Sequence, residues 1–141
     1  MKSPLEIGII GFDKQHLPPA IMDILSNLSQ RRNVLGAVLV KGDMGIVACD
    51  LPTEGHETSD IVDVLAMMEN WGAYPRRIPR NSLFPQLVRE GPGFKIFAKR
   101  MSGDLTLFVM MRSAGYIGPA TQDIKETIER IKGEMDVTSS E

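Results

Sequence analysis

Three arginines, Arg76, Arg77 and Arg80, fall within five positions of a proline-punctuated stretch, and Arg89 follows. A guanidinium presents a rigid fork of donors that grips carboxylates and phosphates through paired hydrogen bonds. Such a cluster can therefore hold an anion or an acidic partner surface, although the same residues also read as a solvated basic loop. Other groups able to do chemistry are sparse. His16 and His56 have no carboxylate or cysteine at ligand spacing, which argues against a metal centre. Cys49 stands in an apolar run with no activating base beside it, and reads as a small buried hydrophobe. The glycine pairs Gly42/Gly45 and Gly91/Gly93 match neither Gly-x-x-x-x-Gly-Lys-Ser/Thr nor Gly-x-Gly-x-x-Gly before a helix. No Gly-x-Ser-x-Gly elbow is present. Asp43 and Asp50 flank a short strand, a placement that strand ends commonly carry. The nine methionines suit an adaptable core or interface better than a cofactor site. The expectation is a non-catalytic module with no cofactor and no metal.

The bulk properties agree with that. A length of 141 residues suits one domain, and 43% hydrophobic with 24% charged residues is ordinary for a globular chain. The net charge of −2 gives no basic field to draw nucleic acid or an acidic membrane. A single cysteine excludes an internal disulfide framework and fits a reducing compartment. No apolar run approaches the roughly 18 to 20 residues that would span a bilayer. The opening Met1-Lys2-Ser3-Pro4-Leu5-Glu6 lacks the pattern of a signal peptide. A cytoplasmic protein without membrane insertion is expected.

The elements that must position these residues follow from periodicity. Leu5 to Phe12, with three isoleucines among two glycines, reads as a short extra strand or an extended arm. Behind Pro18-Pro19, residues Leu17, Ile21, Ile24, Leu25 and Leu28 recur at helical spacing, and Asn33 can end that helix. Val34 to Val40 and Ile46 to Cys49 are β-branched runs around the turn Lys41-Gly42-Asp43-Met44-Gly45. Both runs are apolar on both faces, so this hairpin is expected at the centre of a sheet. Thr58 or Ser59 can cap a second helix reaching about Trp71. Its stripe is Ile61, Val64, Leu65, Met68 and Trp71, and Val62, Ala66 and Met67 lie outside it. A helix that only covered a sheet would need less apolar surface, so a second buried surface and self-association are expected there.

Residues 72 to 83 then form the irregular arginine connector. Gln86 to Glu90, Phe94 to Met101 and Leu105 to Arg112, separated by turn residues, read as an antiparallel meander. The last helix carries Ile117, Ala120, Ile124, Ile128, Ile131 and Met135 on one stripe, with Gly133 loosening its end. The order is α-β-β-α-β-β-β-α.

That order, together with particular stretches, resembles the Roadblock family, the dynein light-chain and small-GTPase-regulator domain. The stretches are the first helix followed by Asn33-Val34-Leu35-Gly36-Ala37-Val38-Leu39-Val40, the turn Asp43-Met44-Gly45 before Ile46-Val47-Ala48, and Gly115-Tyr116-Ile117-Gly118 opening the final helix. The resemblance covers about residues 17 to 135. It implies an α+β, profilin-like domain: a five-stranded antiparallel sheet with one helix on one face and two on the other. It also implies dimers, with itself or a paralogous Roadblock chain, formed by joining second helices and neighbouring strand edges. A scaffold or regulator of Ras-like GTPases follows from the same resemblance, with small-ligand sensing by related domains as the alternative. On this reading residues 1–16 are an N-terminal extension, 17–135 the domain and 136–141 a tail. The dimer interface is expected at Ile61, Val62, Leu65 and Met68. Partner or anion binding is expected at Trp71, Arg76, Arg77 and Arg80.

Overall fold

The computed structural model describes residues 19–42, 45–51, 58–73, 85–91, 93–101, 105–113, 115 and 117–139. Helix α1 (Ala20–Ser29) starts behind Pro19 and buries Ile21, Ile24, Leu25 and Leu28, four residues of the stripe that its spacing predicts, and the fifth, Leu17, lies outside the described residues. Asn33 turns the chain out of it with φ of 66°, a left-handed conformation that asparagine tolerates better than most residues. Strands β1 (Val34–Lys41) and β2 (Gly45–Asp50) follow, with Gly45 at φ 81° where a side chain would be strained. Helix α2 (Thr58–Ala73) comes next. Strands β3 (Gln86–Gly91), β4 (Phe94–Arg100) and β5 (Leu105–Arg112) precede the long helix α3 (Ile117–Ser139).

The five strands form one antiparallel sheet in the order β2-β1-β5-β4-β3. Register places Val38 opposite Phe108 and Leu39 opposite Leu107 on the neighbouring strand. Side chains alternate along a strand, so each register pair belongs to one face or the other. Ala37, Leu39, Leu107, Val109 and Met111 point to the face covered by α1 and α3, against Leu25, Leu28, Ile124 and Ile131. Val38, Val40, Ile96, Phe108 and Met110 point to the face covered by α2, against Val64, Leu65 and Met68. Each such buried side chain contributes about 1.5–3 kcal/mol relative to exposure. The Arg31–Asp123 contact between α1 and α3, at 3.9 Å and largely exposed, adds little to this.

Element order and the division of helices between faces agree with expectation, and the hairpin differs from it. Among the described residues the 34–50 hairpin is not the sheet's centre, because β2 is an edge strand and β5 is the middle one. An apolar run reports that both faces are covered and carries no information about how many strands lie alongside. β2 is covered on both faces because α1 and α2 both reach it. Helix α3 runs through Gly133 to Ser139, into the segment expected to leave the helix at Asp136. A helix already formed adds a residue at little cost even where propensity is modest. The expected N-terminal strand and the arginine connector lie outside the described residues.

Candidate functional site

The expected partner surface centres on α2, whose inner side fastens it to the sheet. Met68 is fully buried, and Val64 and Leu65 are nearly so, all within the cluster that contains Ile96, Phe108 and Met110. Two of the four expected interface residues, Leu65 and Met68, therefore have their burial accounted for inside one chain. Val62 is open, with 54% of its surface exposed. Ile61 belongs to α2, but its side chain is outside the described residues. Trp71 is half-buried against the α2-side core, together with Met67, a residue named for its place outside the stripe. Arg76, Arg77 and Arg80, the expected clamp, lie outside the described residues.

Glu69 fixes which side of α2 faces which edge. A Cβ placed on Gly45 would lie 3.2 Å from Glu69 Oε1, so the Glu69 flank lies toward β2. Met67 is two residues earlier, about 200° around the axis, and occupies the opposite flank, toward β4 and β3. Met67, Trp71 and Val88 of β3 are each half-buried against the core cluster that includes Phe94, Ile96 and Ala98 of β4. Strand β3 pairs only with β4 among the described residues, and exposes Leu87, Arg89 and Glu90. Sequence periodicity marked Met67 as surplus to the sheet-facing stripe. Val88 and Leu87 had no such signal, because their importance comes from β3 being an edge.

Burial, and then the Asp50 carboxylate, push the Cys49 thiol up to about 12, outweighing a backbone hydrogen bond from Leu51, so it stays protonated. Lys99 on β4 is lowered by partial burial and by Lys132 on α3. Thr106 Oγ1 and Gln86 Oε1 are buried with no hydrogen-bond partner. Among the described residues no three histidine, cysteine, aspartate or glutamate side chains come together to hold a metal ion. Nor is any described helix long and apolar enough to cross a membrane.

Neither models of protein families nor curated proteins give a match to this chain. Solved structures do. Myxococcus xanthus MglB superposes with a TM-score of 0.60 at 15% identity, over 87% of this chain and 98% of that one. A Roadblock/LC7 domain from Streptomyces avermitilis gives 0.58 at 15% identity, over 79% and 94%. An MglB described as having a tetrameric arrangement gives 0.57 at 9% identity, over 83% and 88%. The sheet order and the two covered faces define an α+β domain of three layers. Within that class, this chain has the Roadblock fold.

Proposed function

We propose that the chain is a non-catalytic, cytoplasmic scaffold. It pairs with itself or with a paralogous Roadblock chain, and the pair binds a small Ras-like GTPase or another switch protein. The carrying observation is the surface on which Met67, Trp71 and Val88 sit half-buried beside the open β3 edge, in a Roadblock fold. Joining two α2–β3 surfaces covers those side chains and gives the β3 backbone groups a partner. The tetrameric arrangement of one similar MglB is in keeping with self-association through the same fold.

Sedimentation velocity at micromolar concentration tests the pairing. The expected result is a dimer that Met67→Lys converts to a monomer with an unchanged circular dichroism spectrum. A monomeric parent chain, with no nucleotide-binding protein co-purifying from its native cytoplasm, would overturn the proposal.

A further inference from the structure

The sheet has a second open edge, and it differs from the first. Among the described residues β2 pairs only with β1, so the other side of its backbone faces outward. Its side chains are nonetheless covered on both faces, with Ile46, Val47, Ala48 and Cys49 all buried. Three large hydrophobic residues are described as exposed, and one of them, Leu87, belongs to β3. The other two are Met22 on α1, 43% exposed, and Val62 on α2, 54% exposed.

Both of these flank β2. Met22 lies seven residues before Ser29, on the same side of α1 to within about 20°. The Ser29 hydroxyl reaches the Asp50 carbonyl of β2 at 3.4 Å, which sets that side of α1 over β2. Val62 lies seven residues before Glu69, on the same side of α2, and a Cβ on Gly45 of β2 would lie 3.2 Å from Glu69 Oε1. The two exposed side chains therefore stand on the β2 side of their helices, one on each face of the sheet. The β1–β2 register skips Val47, so β2 carries a bulge at that residue. The ends of the edge are acidic, with Asp50 at one and Glu69 at the other, whereas Lys41, across the ladder from Gly45, already has an interaction.

We propose that the β2 edge docks an extended segment of a partner protein as a sixth strand, apolar on both faces at its centre and basic at its ends. The main chain of the segment takes up the outward N–H and C=O groups of β2. Its alternating side chains rest on Met22 and Val62, and its terminal cations meet Asp50 and Glu69. The site is separate from the α2–β3 surface and does not depend on self-association there.

The test uses the full chain and a fluorescent peptide, Lys-Thr-Val-Ile-Val-Ile-Thr-Lys, followed by anisotropy and by amide hydrogen exchange. Binding should slow the outward-pointing amides of residues 45–50 and leave β3 unchanged. Met22→Lys and Val62→Lys should each weaken it about tenfold with the fold intact, and N-methylation of alternate peptide amides should abolish it. The proposal is overturned by absence of binding, by protection on β3, or by indifference to N-methylation. Outward β2 amides already slow in the free chain would mean that another part of the chain occupies the edge. A parent dimer dissociated by Val62→Lys would mean that a second copy does.

Discussion

Leu65→Asp separates the inner side of α2 from a partner surface. Leu65 is only 8% exposed and packs within the α2-side core. Truncating a buried leucine costs about 2–5 kcal/mol in lost transfer energy and residual cavity. A carboxylate at that place must also leave water, adding about 1–3 kcal/mol even after it takes up a proton to avoid a buried charge. The sum, roughly 3–8 kcal/mol, compares with a total stability of about 5–15 kcal/mol for a domain of this kind. The variant is therefore expected to be largely unfolded, or to melt far below the parent, whatever its state of association. Since the introduced group is tolerated better when protonated, its folded-state pKa lies above the unfolded value. The loss should then be smaller at pH 4.5 than at pH 7.5. Val62→Asp, on the exposed side, should shift stability by no more than about 0.5 kcal/mol. Urea denaturation followed by circular dichroism measures both variants. If Leu65→Asp were a well-folded monomer with the parent's urea midpoint, Leu65 would belong to a contact between chains, and the placement of α2 would be refuted.

Two other outcomes rest on single positions. Cys49, with its thiol raised to about 12, should react with a thiol reagent at pH 8 over a thousandfold more slowly in the native chain than in urea. Because its folded pKa is raised, the stability it contributes is fully present below the unfolded pKa of about 8.5 and is lost as pH climbs toward 12; Cys49→Ala should remove that part of the alkaline decline. At Gly36 a Cβ would meet the Asp50 carbonyl oxygen and Leu51 Cδ2, each at 2.6 Å, so β1 and the end of β2 would have to separate. Gly36→Ala should cost about 1–3 kcal/mol in urea denaturation, and a neutral result would show that this part of the β1–β2 ladder yields easily.

Much of the domain could be read from local pattern. The α1 stripe, the α3 stripe and the limits of β5 coincide with the observed elements, because side-chain periodicity and turn residues act over a few positions. Edges were not legible. β2 and β1 have the same apolar composition, yet one is terminal and the other internal, a distinction set by the long-range pairing of β1 with β5. The surplus of apolar residues on α2 was legible in the sequence. Which members of that helix were surplus was less so. Leu65 and Met68 lie on the stripe itself and are used by the sheet, while Met67 and Val62 lie off it, on opposite flanks. That Trp71 and Val88 pack against one core cluster depends on a strand fifteen or more positions later, which no helical repeat encodes.

The two edges present different problems to a partner. β3 alternates, with Leu87 on one face and Val88 on the other beside the charged Arg89 and Glu90, so its side chains take part in whatever docks there. Both edge strands carry a bulge, at Val88 of β3 and at Val47 of β2, and bulges of this kind bend an edge and restrict which strands can add to it. β2 keeps its side chains beneath two helices, and Met22 and Val62 are exposed on the flanks of those helices that face it. On the two proposals above, specificity at β3 rests on side-chain complementarity, whereas at β2 it rests on whether a segment can extend between Met22 and Val62. Helix α2 contributes to both, through Met67 and Trp71 on one flank and Val62 and Glu69 on the other. Its inner residues are spent on holding it to the sheet, which is what keeps the two flanks at fixed positions over their respective edges.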